Sequence, residues 1–378
     1  MLLQLRILTV LVLAIFAQVA NAQAGEARHG NDSYAPYRTQ ILADGIYLMA
    51  VPYDYLGFAT SNIVLVEQED GVVVLDTGVL RGDGIRVVAL VKSFTSKPVK
   101  AIVFTHWHND HPQGASAVLE AWPDARVIAT EPTRQGIRGP ATDQGIGAVA
   151  SKDAEAKLAD QLSDIAQTLR QRAEAASDKP EDAARYLRMA REFEDRISDI
   201  PGTVLIEPTE VLEDELVIED RERPVHLRFL GRANTAGDAV LWLPRQKIVA
   251  TGDVVVAPSP FGFYSYPKDW IETLRKIKAL EFELLVPGHG MPQDSTAYVD
   301  RLIWAIADIR HRVGQLASEG RSLEETREQV DFSDQLDAFG ATPRLKKLVE
   351  GYWLRPMIDN AWREANGLPI VQGEGESP

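Results

Sequence analysis

The stretch Thr105-His106-Trp107-His108-Asn109-Asp110-His111 holds three of the chain's seven histidines within six residues. The run KAIVFTH leading into it reads as a strand, and Pro112 and Gly114 follow. It is therefore a loop at a strand end, where several side chains can be aimed at one point. His106 and His108 alternate with Trp107, so their imidazoles can converge, while Asp110 and His111 turn toward a neighbouring position. Neutral imidazole with carboxylate is an ordinary ligand set for zinc. The chain has no cysteine, which excludes disulfides, thiolate nucleophiles and Cys-ligated zinc or iron–sulfur sites. Any metal must be held by His, Asp, Glu, Asn or backbone oxygen.

Outward from this loop the pattern is α/β. Apolar strand-type runs occur at NIVLVE (62–67), GVVVLDTG (71–78), ARVIATE, VHLRFL, AVLWLP and KIVATGD. Between them, GDGIRVVALVKSF predicts a helix with Ile85, Val88 and Val91 on its apolar face, and another helix is expected at about 113–121. Residues 151–200 differ, being dense in charge with Leu158, Leu162, Ile165 and Leu169 at helical spacing. After Pro180 the stripe resumes at Ala183, Leu187, Ala190, Phe193 and Ile197. This predicts a helical hairpin inserted over about 145–200, read either as a solvated or dimer-forming pair or as a lid over a substrate site. It contains no candidate ligand, and is expected to be self-contained and dispensable for metal binding. A helical extension is expected over 296–368, with Val299, Leu302, Ile306, Ile309, Val313 and Leu316 on one face and Ser322 and Glu325 as a capping box, before a loose tail at 369–378. With 378 residues the chain is long enough for about two domains, or one with insertions.

The loop THWHNDH resembles the HxHxDH signature of the metallo-β-lactamase superfamily, and other landmarks follow in that family's order. Asp76-Thr77-Gly78 resembles the early aspartate that supports the metal loops, Thr251-Gly252-Asp253 the aspartate that bridges two metals, and Pro287-Gly288-His289-Gly290 the last metal histidine. The resemblance implies a four-layered αββα sandwich over 39–295, with the hairpin and the C-terminal helices added to it. It also implies a metal site of His106, His108, Asp110, His111, Asp253 and His289, with Asp76 behind it. On its own residues Asp76 reads either as a strand-end turn residue or as an acceptor that orients a ligand imidazole. One landmark departs from the pattern: where the family has a histidine, Gly231-Arg232-Ala233-Asn234-Thr235-Ala236-Gly237-Asp238 places Asn234. An amide oxygen is a weaker zinc donor than imidazole, so Asn234 is either a weak ligand or a hydrogen-bonding neighbour. The cofactor expected is Zn2+, one or two ions with two favoured, another divalent metal being the alternative.

Such a site implies a hydrolase in which a zinc-bound hydroxide attacks an ester, thioester, lactone, β-lactam or phosphodiester-type substrate, with Asp110 holding metal and orienting or deprotonating the water. The rival readings are an iron-dependent oxidoreductase of the same fold and a non-catalytic metal- or ligand-binding protein. Aromatic-rich segments at Pro52–Phe58 and Pro260–Tyr266 read either as ordinary packing or as pocket walls for a compact apolar or cyclic small molecule. No Lys or Arg follows closely on Asp253 to anchor a substrate carboxylate, which weakens a dedicated β-lactamase reading. Acidic residues outnumber basic ones 55 to 40, a net charge of -15, which disfavours a nucleic-acid partner. His226, His311 and His29 read as surface or lead-in residues, and oligomerisation, if any, is expected through the hairpin.

Arg6 precedes the apolar run ILTVLVLAIFA, and Ala20-Asn21-Ala22 matches a small-x-small cleavage site. Residues 1–22 are thus expected to be a signal peptide, 23–38 a flexible lead-in, and the product periplasmic or secreted without a stable membrane anchor, since a span needs about 20 apolar residues. Intact-mass measurement of the native protein should find a chain beginning at Gln23; a full-length cytosolic species would sink the expectation of export.

Overall fold

In the computed structural model, which describes residues 37–52, 57, 59–139 and 151–370, the apolar strands are divided between two faces by strict alternation. The expected leader, most of the lead-in, Tyr53–Leu56, Phe58, the start of the insertion and the end of the tail lie outside the described residues. In strand β3, below, Val64 and Val66 face one side, Ile63 and Leu65 the other, and all four are buried. A strand covered on both faces belongs to a central layer.

The first sheet contains β1 (Arg38–Ala43), β2 (Ile46–Ala50), β3 (Ile63–Glu67), β4 (Val72–Leu75), β5 (Val99–Val103), β6 (Arg126–Thr130) and β7 (Glu210–Leu212), in that spatial order. Pairing is antiparallel as far as β4 and parallel from β4 to β7. The second sheet contains β8 (Glu215–Ile218), β9 (Val225–Phe229), β10 (Ala239–Leu243), β11 (Ile248–Ala250) and β12 (Leu284–Val286), in the order β12-β11-β10-β9-β8. Only its β11–β12 pair is parallel.

The sheets pack face to face through Val64, Val66, Val73, Leu75 and Val103 of the first and Leu227, Leu241, Ala250 and Val286 of the second. Helices α1 (Arg81–Phe94) and α2 (Ala115–Ala121) cover the outside of the first sheet, and α3 (Glu131–Arg138) follows β6. The hairpin consists of α4 (Lys152–Ala175) and α5 (Pro180–Ile197). Helices α6 (Pro267–Lys278), α7 (Ala297–Ser318), α8 (Leu323–Gln329), α9 (Ser333–Phe339), α10 (Pro343–Val349) and α11 (Arg355–Ala365) complete the chain, with a π-helical turn at Glu350–Leu354 joining the last two. Val240, Trp242 and Val249 of the second sheet share one core with Trp270, Val299, Ile306, Trp353 and Met357, so the helices after 296 form part of the outer layer of the sandwich. The result is the αββα order. Among the described residues no helix is long and apolar enough to cross a membrane.

Three expectations need correction, one being Leu187, which is 36% exposed while Met189 fills its place in the hairpin seam. Ile85 is 48% exposed, whereas Gly84, Val87 and Val91 are buried, so the apolar face of α1 is rotated from the expected one. The cause is a close approach: a Cβ at Gly84 would stand 1.9 Å from the Gly114 carbonyl oxygen, pinning that side of the helix against the loop after His111. The hairpin is also not self-contained. Leu158, Leu162, Leu169, Met189 and Phe193 form its seam, but Val79 and Leu80 enter the same cluster, and the Arg196 guanidinium is buried against Asp83 of α1.

Gly84→Ala should therefore cost about 1–3 kcal/mol, as an overpacked core position does. Denaturant unfolding of the purified variant measures this; an unchanged midpoint would show that α1 can move off the histidine loop freely.

Candidate metal centre

Both sheets present the carboxyl ends of a parallel strand pair to the same edge. From the first come Asp76, after β4, and the loop 105–111, after β5; from the second come Asp253, after β11, and His289, after β12. Asp76 takes up φ 59°, a conformation that aspartate tolerates better than most residues. This lets its carboxylate reach across to the next strand end. Oδ1 accepts from the Thr105 amide at 2.9 Å, and Oδ2 accepts from the Thr105 hydroxyl at 2.8 Å. Oδ2 also lies 2.8 Å from His111 Nδ1, which assigns a ring proton to Nδ1 and turns Nε2 inward.

His111 Nε2 then stands 3.3 Å from Asp253 Oδ1 and 3.9 Å from Asp110 Oδ2. His289 Nε2 stands 3.0 Å from Asp110 Oδ2 and 3.5 Å from Asp253 Oδ1. On the other side, His106 Nε2 is 2.8 Å from His108 Nδ1 and 3.7 Å from Asp253 Oδ2. Asp253 thus divides its two oxygens between two donor groups. Its position demands glycine opposite, since a Cβ at Gly288 would lie 2.1 Å from Asp253 Oδ1. Asn234 is fully buried with Nδ2 3.5 Å from His108 Nδ1, so the amide is beside the His106–His108 pair. It is held there by Asp238, whose Oδ2 accepts from the amides of Thr235, at 2.7 Å, and Ala233, at 3.2 Å.

The residues fit a divalent cation. His111 Nε2, Asp253 Oδ1 and Asn234 Oδ1 are buried without a hydrogen bond, a cost that a cation's charge would offset. His106, His111 and Asp253 form one group whose ligand atoms all lie within 4.8 Å of one another, and Asp110, His111 and His289 form a second. Burial holds the His106 imidazole well below the usual histidine range and brings that of His108 down to about 4, so both offer free lone pairs. Burial also pulls His111 and His289 down, but the nearby carboxylates outweigh it and raise both, with Asp76 and Asp253 leading respectively. A cation entering there must displace their protons. Asp110 is raised by burial yet ends below the usual carboxylate range because His111 and His289 face it. Asp238 is pushed up to about 7, chiefly by burial.

Several residues at the site had no expected role. Asn62 joins the loops: its amide donates to Gly288 O at 2.8 Å, and its Nδ2 donates to Pro287 O and Gly290 O at 2.9 and 2.8 Å. Next to it, Ser61 N donates to Asp110 O at 3.1 Å. Phe261 and Tyr264, of the segment 260–266 read above as packing or as pocket wall, pack beside His108, each with ring centroids 5.6 Å away, and Phe263 and Tyr352 extend this wall outward. Tyr352 comes from the π-helical turn, whose Tyr352 carbonyl accepts from Gly262 N at 3.0 Å. His226 and His311 lie away from the centre, His226 half-buried against Glu215 and His311 exposed.

The model of the metallo-β-lactamase superfamily matches residues 56–289. The chain belongs to that superfamily. A curated relative, the linear primary-alkylsulfatase of Pseudomonas sp. (strain ATCC 19151), is 24% identical over 75% of this chain and 52% of its own length. The chain therefore spans about half the length of the curated relative it matches. Among solved structures, the stereoselective inverting sec-alkylsulfatase Pisa1 from Pseudomonas sp. is similar with a TM-score of 0.57 at 14% identity, covering 90% of this chain and 52% of that one. A metallo-β-lactamase from Pontibacter korlensis gives a TM-score of 0.48 at 16% identity over 72% of this chain and 99% of that one.

With an amide in place of an imidazole at 234, metal titration should give two unequal affinities, the Asp110/His111/Asp253/His289 side filling first. Asn234→His should tighten the weaker step by about tenfold or more, given that even indirect partners of a metal typically matter 10–100-fold. Isothermal titration with Zn2+ measures both; equal affinities at the outset, or no tightening in the variant, would remove Asn234 from the ligand position.

Proposed function

We propose that this metallo-β-lactamase-superfamily chain is a metal-dependent hydrolase that cleaves an ester, with the sulfate ester of an apolar alcohol as the leading substrate class. The observation that carries the reading is the position of Asp253, one carboxylate shared between two imidazole groups, with an aromatic wall packed beside His108. The alkylsulfatase relative supports the sulfate ester over the other esters.

The residues that would hold the metal are His106, His108 and Asn234 on one side and Asp110, His111 and His289 on the other, with Asp253 between. A divalent cation there supplies Lewis-acid polarisation of the ester and lowers the pKa of water. Asp76 holds the His111 Nδ1 proton, so Nε2 is the ring nitrogen turned toward the cation and the one that would give up its proton on metal binding. Asp110, kept ionised between His111 and His289, is a hydrogen-bond acceptor in position to orient the attacking water and receive its proton. Phe261 and Tyr264 shield the His108 side from solvent and offer apolar surface to the alcohol portion of the substrate. Asn360 steadies that wall by donating from Nδ2 to Phe263 O at 3.2 Å.

Zn2+-loaded protein should be assayed on a medium-chain alkyl sulfate, a carboxylic ester, a lactone, a β-lactam and a phosphodiester. Turnover is expected on the alkyl sulfate and should be abolished by chelation. Phe261→Ala should raise KM for the longer alkyl chains by about tenfold, consistent with the burial energy of an apolar side chain, and leave short ones nearly unchanged. Hydrolysis confined to β-lactams or phosphodiesters, or none at all after metal loading, would refute the proposal.

A further inference from the structure

Arg196 sits at the end of α5, far along the chain from every candidate ligand, yet its side chain is fully buried against α1. Its Nη1 donates to Asp83 Oδ1 at 2.8 Å and its Nη2 to Asp83 Oδ2 at 2.7 Å, a two-pronged pairing between planar groups. Nη1 also reaches Asp199 Oδ2 at 2.6 Å, and Arg86 Nη1 meets that same oxygen at 2.9 Å.

Asp83 passes the constraint on. Its Oδ2 accepts from the amides of Val79 and Leu80, at 3.0 and 3.2 Å, and from the Thr60 hydroxyl at 3.2 Å. Thr60 in turn accepts from Val79 N at 3.2 Å and shares a 2.7 Å hydrogen bond with the buried Tyr37 hydroxyl. Two segments therefore hang from one carboxylate. In the first, residues 76–79, Thr77 N donates to His111 O at 2.7 Å, and Gly78 O accepts from Gln113 N and Gly114 N at 3.0 and 3.2 Å. In the second, residues 60–62, Ser61 N holds Asp110 O and Asn62 holds the Pro287–Gly290 loop. Asp110, His111 and His289 are all carried by backbone tied to these two segments. Asn234 is not among the groups so tied, and His106 and His108 are reached only one step further on, through Thr105, which Asp76 holds and whose hydroxyl lies 3.1 Å from His106 Nδ1, and through the 3.1 Å bond from His111 N to His108 O.

We infer that Arg196 is a positioning residue for the Asp110/His111/His289 half of the centre, and that the helical hairpin is part of its frame. The guanidinium pairs with both oxygens of Asp83, and that carboxylate, so oriented, is what keeps the two segments in register. Without the guanidinium, a fully buried carboxylate keeps its hydrogen bonds from Val79, Leu80 and Thr60 but has, among the described residues, only Arg86 at 3.7 Å as a neighbouring cation, and must move or admit water. Each of these loosens residues 60–62 and 76–79 together. The inference rests on reading these side chains as a metal centre, but part of its test does not.

The test compares the full chain with Arg196→Met, Arg196→Lys and Arg86→Met. Hydrogen exchange of the metal-free proteins, followed by mass spectrometry, should show faster exchange in Arg196→Met over 59–63, 76–80, 108–114 and 287–290. Segment 225–243 should stay unchanged. Co2+ titration followed by its visible spectrum should show the Asp110/His111/His289 site weakened by about tenfold or more, within the range for lost metal-supporting contacts, and the His106/His108 step weakened distinctly less. Arg196→Lys, which keeps the charge but not the paired geometry, should fall between, and Arg86→Met should match the parent. Loosening confined to the hairpin, or equal weakening of both metal steps alongside uniformly faster exchange, would overturn the inference. Should Arg196→Met fail to fold, the lysine variant decides: parent-like exchange and parent-like Co2+ affinity in it would overturn the inference equally. Exchange changes at the named segments would stand even if no ester were hydrolysed, so failure here is distinct from failure of the hydrolase reading.

Discussion

The Asp76 carboxylate is the constraint on which the centre is built. Buried at the end of one strand, it takes hydrogen bonds from an amide and a hydroxyl at the end of the next and from the ring of His111. A buried anion is tolerated only when its lone pairs are occupied, so the side chain that satisfies Asp76 also fixes where the histidine loop begins and how one imidazole is turned. Parallel strands make this economical: β4 and β5 end side by side, and a short side chain spans the gap. The second sheet also ends a parallel pair, β11 and β12, at this edge, and stacking the two sheets brings Asp253 between the two groups of imidazoles.

Much of this was legible because the chemistry is local. Three histidines and an aspartate in one loop announce a common target whatever the fold, and apolar strands ending in Asp-Thr-Gly, Thr-Gly-Asp and Pro-Gly-His mark where other polar groups emerge. An α/β layout followed from the alternation of strand and helix patterns, and the αββα layering from the motifs that resemble the superfamily's. The illegible parts depend on contacts between distant segments. Arg196 lies in a segment so dense in charge that it reads as one more solvated cation, and only the fold reveals that it is buried. Asn62 opens an apolar strand and looks like a boundary residue, although its amide holds a loop more than two hundred positions away. Ile85 was misassigned because helical spacing cannot weigh a backbone contact, here Gly84 against Gly114, against a side chain's hydrophobicity.

The two halves of the centre differ in kind. On the Asp110 side, imidazoles share a buried space with carboxylates, so charge is balanced within a few ångströms. On the His106 side, burial keeps both rings neutral and the neighbour at 234 is an uncharged amide. The first half is electrostatically self-consistent as it stands, whereas the second is polar but charge-poor. The aromatic rings of Phe261 and Tyr264 border that second half, so the least charged part of the centre meets the most apolar part of its rim.

The π-helical turn that carries Tyr352 bears on the order of events during synthesis. Every candidate ligand has left the ribosome by residue 289, but the loop at 261–264 is braced by Tyr352 and Asn360, which emerge much later. Domains form as their sequences emerge. A nascent chain can therefore bring its imidazoles and carboxylates together while the rim over His108 still lacks its supports, and the rim closes only when the last helices dock against the second sheet.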